Sequence, residues 1–217
     1  MFGCAGITKS FNGRTLLNDF SFKLEAGEGL GLLGPSGVGK STLLKILALL
    51  EPADSGNIVF NQCHWPARAA RPADFPANLM LQHCALWPHL TLEENIMFPF
   101  IGHADEAQYR TRALHFAKQL DLENALPRKA ILTSGGENQR ASLVRLLSAD
   151  PEVLLLDEPT SHLDEARAAK VLLLLQEQKE NGKAIILSTH DRAFSKNLCD
   201  NFITLHEEHA PTFIKKA

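Results

Sequence analysis

Gly34-Pro35-Ser36-Gly37-Val38-Gly39-Lys40-Ser41, followed by Thr42, is the stretch from which the rest of the chain can be read. It meets the phosphate-loop pattern G-x-x-x-x-G-K-[ST] at every fixed position. Leu30-Gly31-Leu32-Leu33 before it is a short apolar run of strand type, and Leu43, Leu44, Ile46 and Leu47 after it have helical spacing. Strand, glycine-rich loop and helix in that order suit the chemistry. Glycines let backbone N–H groups turn inward onto a phosphate, and the helix that follows adds its positive end. Lys40 offers a mobile charge for β- and γ-phosphates, and Ser41 a hydroxyl for Mg²⁺. A plain glycine-rich turn is the competing reading, and eight consecutive residues in the right context count against it.

The chain has 217 residues and a formal net charge of −3, with four cysteines and no C-x-x-C pair. That length allows one large domain with a real core. The slight acidity offers no global field for nucleic acid, and none is expected as a partner. Cys4, Cys63, Cys84 and Cys199 read as reduced thiols. No apolar run approaches a membrane span and no leader is evident, so a soluble, cytoplasmic chain is expected.

Upstream of the loop, residues 2–33 read as short strands broken by turns. Asn12-Gly13 is a hairpin-type turn, and Phe20, Phe22 and Leu24 alternate with Ser21 and Lys23. Phe11 is either a core aromatic or a stacking platform for a purine. Downstream, residues 63–77 read as an irregular connection, and Leu79-Met80-Leu81-Gln82 is an apolar run ending in an amide. Thr91 and Glu94 form a capping box that opens a helix at Leu92. Residues 105–125 read as a helix with Ala113, Leu114, Phe116, Ala117 and Leu120 on one face.

Ser134-Gly135-Gly136-Glu137 is either a simple capped helix start or a second anion cradle. Val153 to Leu156 is a fully apolar strand ending in Asp157-Glu158-Pro159, and Ile185 to Thr189 repeats that form before His190. A helix through Val171 to Leu175 between them gives a parallel sheet. Carboxylates at the carboxyl end of such strands stand where open sheets hold ligands, though a solvated turn is the plainer reading. A last strand is expected around Phe202 to Leu205. His206-Glu207-Glu208-His209 lacks the H-E-x-x-H spacing and reads as a solvated turn, not a metal site.

Together these residues resemble the ATP-binding domain of ABC (ATP-binding cassette) proteins over nearly the whole chain. Gly34 to Ser41 match Walker A, Gln82 the Q-loop, Ser134 to Gln139 the signature motif, and Leu154 to Glu158 Walker B with its catalytic glutamate. Ser161 to Asp164 match the D-loop, His190 the switch histidine and Phe11 the aromatic that stacks on adenine. The departures are Thr133, where the family usually has Leu, and the bulkier Val144 and Leu146.

The resemblance implies an α/β P-loop NTPase fold: a RecA-like parallel core with an N-terminal antiparallel part and an inserted helical subdomain. It assigns residues 1–82 and 150–217 to the nucleotide-binding core, and 83–149 to the helical subdomain with the signature motif. It implies an ATPase with ATP and Mg²⁺ as cofactors. Lys40, Gln82, Glu158 and His190 would be catalytic, with Glu158 as general base. Phe11, Gly34, Pro35, Ser36, Gly37, Val38, Gly39, Lys40, Ser41 and Thr42 would bind nucleotide. Ser134, Gly135 and Gly136 would meet it from a second copy of the chain, and Glu137 and Asp164 would also bind nucleotide. Ser41, Gln82 and Asp157 would hold the metal.

The implied partners are a transmembrane permease subunit, a second cassette in a head-to-tail dimer, and a solute-binding protein. The place implied is the inner face of the cell membrane. Ala85 to Thr91 with Glu94-Asn95 look like importers of polar amino acids. Asn95 to Pro99 also resemble export or lipoprotein-extracting systems. Pro159 to Asp164 and His190 to Phe194 echo ribosome-associated ABC proteins, which carry paired cassettes and a long charged linker, where this sequence shows one cassette.

Overall fold

The computed structural model describes residues 1–11, 14–206 and 212–215. The expected Asn12-Gly13 turn and Glu207 to His209 lie outside the described residues. Four strands form an antiparallel sheet: β1 (Phe2–Phe11), β2 (Arg14–Leu24), β4 (Ser55–Phe60) and β5 (Cys63–Pro66), in the order β2-β1-β4-β5. A six-stranded sheet holds β3 (Gly29–Leu33), β6 (Ala77–Met80), β7 (Val153–Asp157), β8 (Ala184–Ser188), β9 (Asn201–Thr204) and β10 (Thr212–Lys215). Its order is β10-β9-β3-β8-β7-β6, parallel from β9 to β6, with β10 antiparallel on β9. This is the P-loop NTPase arrangement expected, antiparallel part included.

Side-chain alternation divides the core across the large sheet. Val153, Leu155 and Ile186 face one cluster with the antiparallel sheet and helix α1 (Lys40–Leu47). Leu154, Leu156, Ile185 and Leu187 face the other cluster. That second cluster is built with α2 (Leu92–Met97), α3 (Glu106–Gln119), α4 (Gly135–Ser148), α5 (Glu165–Glu180) and α6 (Arg192–Leu198). Period-two residues on a strand covered on both faces give this split, which is why β7 and β8 are apolar up to Leu156 and Leu187, with Asp157 and Ser188 at their carboxyl ends.

Three local expectations need correction. Cys63–Pro66 is a strand within the supposed irregular connection. Among the described residues it pairs only with β4, and an edge position is where a strand tolerates Pro66. The helix from Glu106 ends at Gln119, because Asp121 has φ +50° and breaks it; a short 3₁₀ turn at Glu123–Ala125 follows. Leu114 is exposed, so Ala113, Ala117 and Leu120 form the buried stripe without it.

Between β6 and β7 the described residues hold helices and loops. Two capping boxes open α2 and α4 as expected: Thr91 with Glu94, and Ser134 with Glu137. Asn95 is fully buried in α2, and its amide is spent on the preceding loop. Its Oδ1 accepts from Trp87 N at 2.7 Å, and its Nδ2 donates to Trp87 O at 3.0 Å and Thr91 O at 2.9 Å. One side chain thereby fixes the loop that carries Trp87, which is 50% exposed and packs its ring 6.1 Å from that of Phe98. Leu86 and Leu90 are half-buried, while Pro88 is exposed.

Candidate functional site

Strands β3, β6, β7 and β8 run parallel, so their carboxyl ends open at one edge of the sheet. Each delivers a chemically loaded segment there: the phosphate loop after β3, Gln82 after β6, Asp157-Glu158 at β7, and His190 after β8. The loop residues Ser36, Gly37 and Gly39 to Thr42 line one cleft of about 220 Å³ with Gln82, Asp157, Glu158 and His190.

The loop is held open by its glycines. Gly39 has φ +111°, and a Cβ there would lie 2.4 Å from Leu16 Cδ1 on β2. The antiparallel sheet therefore forms the wall behind the loop. Gly39 caps α1 without a side-chain hydrogen bond, which leaves first-turn N–H groups available to an anion. Lys40 is buried, and its ammonium donates to Gly34 O at 2.8 Å and Pro35 O at 2.9 Å. Val38 turns into the core and serves the loop by packing.

Asp157 is buried and accepts from Ser188 Oγ of β8. Glu158 is 8% exposed, with φ +51°, an unusual conformation for a side chain of this size. Its N–H donates to Ser188 O at 3.0 Å, and its carbonyl accepts from Gln139 Nε2 at 2.7 Å. The carboxylate faces His190, with Oε1 3.4 Å from Nε2 and Oε2 3.4 Å from the His190 backbone N. Oε1 is buried and lacks a hydrogen bond. His190 is 62% exposed at its side chain, so the pair grades from the interior to the open cleft.

The remaining predicted residues lie elsewhere. Ser134, Gly135, Gly136, Glu137 and Asp164 line a separate concavity of about 520 Å³ with Arg140, His162 and Arg167. The Ser134 backbone N–H, and then its hydroxyl and Arg128, hold the Glu137 carboxyl below the usual range. Asp164 caps α5 through Arg167 N, which together with the Arg167 side chain lowers its pKa too. Phe11 ends β1 at 45% exposed, with the Lys9 ammonium 4.5 Å from its ring centroid. That is an exposed position and not a core one.

Two contributors had no role assigned from the sequence, although Gln139 closes the signature match. Gln139 is fully buried in α4 and binds the Glu158 carbonyl, Ser161 Oγ at 3.1 Å and His162 N at 3.0 Å. It ties the helix behind the glycine pair to the strand that carries Glu158. Ser188 fixes Asp157 and the Glu158 backbone together. The departures noted in the sequence fall away from the cleft. Thr133 Oγ1 lies 2.8 Å from Ala130 O and 2.7 Å from Asn138 Oδ1, while Val144 and Leu146 fill the core.

Among the described residues no group of three His, Cys, Asp or Glu side chains could hold a metal by itself. Ser41, Gln82 and Asp157 offer a hydroxyl, an amide oxygen and a single carboxylate. That is a hard, oxygen-only set of the kind Mg²⁺ shares with phosphates. No helix among the described residues is long and apolar enough to cross a membrane.

A family profile described as ABC transporter matches residues 17–161. A probable amino-acid ABC transporter ATP-binding protein of Haemophilus influenzae is 32% identical, the match covering 96% of this chain and 85% of that one. The histidine/lysine/arginine/ornithine transport ATP-binding protein HisP of Salmonella typhimurium is 31% identical, over 92% and 83% of the two chains. The spermidine/putrescine import ATP-binding protein PotA of Aggregatibacter actinomycetemcomitans is 36% identical over 93% of this chain, which spans only 54% of that relative. Among solved structures, a dimeric ATP-binding cassette in a post-hydrolysis state with ADP and Pi has a TM-score of 0.87 at 27% identity, covering 99% of this chain and 98% of that one.

Proposed function

The chain belongs to the ABC transporter family of ATP-binding, ATP-hydrolysing subunits, and from that premise we propose that it drives uptake of a polar amino acid through a separate membrane subunit. The observation that carries the catalytic part is the single cleft joining the phosphate loop to Gln82, Asp157, Glu158 and His190. Backbone N–H groups of Ser36 to Thr42 wrap the triphosphate, with Lys40 on the β- and γ-phosphates and Phe11 under the adenine. Ser41, Gln82 and Asp157 would hold Mg²⁺, which would supply neutralisation of the phosphate charge. Glu158 accepts the proton of the attacking water at its carboxylate. Burial beside an unsatisfied Oε1 suits a base that must find its partner in the cleft. His190, across the mouth from Glu158, orients that water and contacts the γ-phosphate.

The concavity at Ser134 to Glu137 serves the nucleotide of a second copy, which closes head to tail. The support is its separation from the cleft in one chain, its helix N-terminus, and the dimeric state named for the solved cassette above. We take residues 83–149 as the unit that receives the membrane subunit at the inner face of the membrane, with the Trp87 loop as contact. The amino-acid reading is supported by Ala85 to Asn95 and by two relatives whose names carry amino-acid transport. A solute-binding protein on the far side completes such a system.

Changing Glu158→Gln tests the core of the proposal. ATP should still bind, hydrolysis should fall by about 10²-fold or more, and a dimer should accumulate with ATP and Mg²⁺. Turnover near that of the parent would remove Glu158 from its role. Co-purification from membranes, followed by amino-acid uptake in vesicles holding the captured subunit, tests the transport reading.

A further inference from the structure

Arg140 lies in the second turn of α4 and is 5% exposed. A guanidinium stays charged and carries five N–H donors. Among the described residues no hydrogen bond or ion pair reaches this one, and its Nε is buried without a partner. Three carboxylates lie close enough to be felt, and each is committed elsewhere. Glu137 takes the Ser134 N–H and Arg128, Asp121 takes Lys170, and Asp164 takes the backbone and side chain of Arg167. Burial, and then the like charge of Arg167, both work against the charged form of Arg140. A buried cation without a hydrogen-bonded partner opposes folding, and the charges of Glu137, Asp121 and Asp164, at a distance, offset this only in part.

The side chain points at an opening. A Cβ on Gly136 would lie 3.7 Å from Arg140 Nη1, and a Cβ on Gly135 would lie 3.5 Å from the His162 ring. The guanidinium thus stands beside the glycine pair whose N–H groups open a 14-residue helix, at the floor of the 520 Å³ concavity. Helix dipole and fixed cation converge on one point, a setting for a compact, multiply charged oxyanion.

We propose that Arg140 is a direct phosphate contact, the cation that meets the terminal phosphate presented by the phosphate loop of a second copy. The inference rests on the two-copy reading above. It adds to that reading a residue whose charge is kept for a ligand at a cost to the free chain. His162 lines the same concavity beside it.

Arg140→Met and Arg140→Lys, each made in the Glu158→Gln chain, give the test. The measurements are ATP affinity by calorimetry in dilute protein, ATP- and Mg²⁺-dependent dimerisation by sedimentation, and nucleotide-free thermal melting. Arg140→Met should keep ATP affinity within about twofold and weaken the dimer by about tenfold or more, the scale of a hydrogen bond to a charged group. It should also lessen the salt dependence of dimerisation and melt no lower than its parent. Arg140→Lys should recover part of the dimer. Parental dimerisation by Arg140→Met overturns the assignment, and so does a melting temperature several degrees lower, which marks a structural cation. A Glu158→Gln parent that stays monomeric with ATP overturns the two-copy reading and this proposal together.

Discussion

Gln139→Leu removes the amide that joins α4 to the Glu158–His162 segment while keeping a side chain of similar size. Three hydrogen bonds are lost, to Glu158 O, Ser161 Oγ and His162 N. The Glu158 carbonyl keeps Ser161 N at 3.3 Å and Ser161 Oγ at 3.2 Å, so the sharper loss falls on the His162 N–H. At about 1 kcal/mol net for each bond, offset in part by added apolar burial, the cost is about 2–3 kcal/mol. In a chain of this size that lowers the melting temperature by roughly 4–12 °C. The functional effect follows from the backbone of Glu158. Its φ of +51° costs about 1 kcal/mol or more in a residue with a Cβ, and is held by clamps on both sides. Releasing one clamp lets the segment relax toward an extended conformation, and a shift of that size is about fivefold or more in kcat. KM for ATP should stay within about twofold, because no phosphate-loop contact changes. Calorimetry and steady-state ATPase assays read both effects. A melting temperature within about 1 °C of the parent, together with unchanged kcat, refutes the clamp.

Lys40→Ala should weaken ATP binding together with turnover, and unchanged affinity by calorimetry in folded protein would contradict the role of the loop. Trp87→Ala should melt within a few degrees of the parent and keep its unstimulated ATPase, because half of the ring is in solvent. With the membrane subunit it should lose assembly or stimulation, and intact stimulation would remove Trp87 as the docking residue. Glu137→Gln keeps the capping geometry and loses the charge. The folded carboxyl sits below its ordinary range, so it contributes stability that is full at neutral pH and is lost as pH falls through that depressed range. The melting gap between parent and variant should therefore close in acid, and a gap that persists there would exclude the charge as its source.

The parts of the fold that were legible in the sequence are those specified locally. Alternation in Phe20, Phe22 and Leu24 gave β2, unbroken apolar runs gave β7 and β8, and two capping boxes gave the starts of α2 and α4. β5 was hidden because its strand character comes from pairing with β4 and not from Cys63-His64-Trp65-Pro66 themselves. The end of α3 was hidden because a positive φ at Asp121 leaves no compositional mark. Within the site, the residues meant to meet one nucleotide from one chain could be read from motifs that sit at strand ends. Gln139 and Ser188 could not, because an amide in a helix and a serine in a strand gain their meaning only once α4, β7 and β8 are packed together. Arg140 has no role assigned from the sequence, and its lack of a hydrogen-bonded partner at Nε shows only in the packed structure.

The ammonium of Lys40, resting on the carbonyls of its own loop at 2.8 and 2.9 Å, has a thermodynamic consequence. Its water shell is already shed and its rotamers are already frozen before any nucleotide arrives. Capture of a triphosphate is then an exchange of acceptors, carbonyl for phosphate, and not the ordering of a loose chain. The entropy that a long cationic side chain commonly loses on binding, up to about 2 kcal/mol, has been lost during folding. Stability and affinity are therefore linked through one residue. Heat that loosens residues 34–40 should release nucleotide before the sheets separate, and bound nucleotide should delay that loosening in proportion to the logarithm of its concentration.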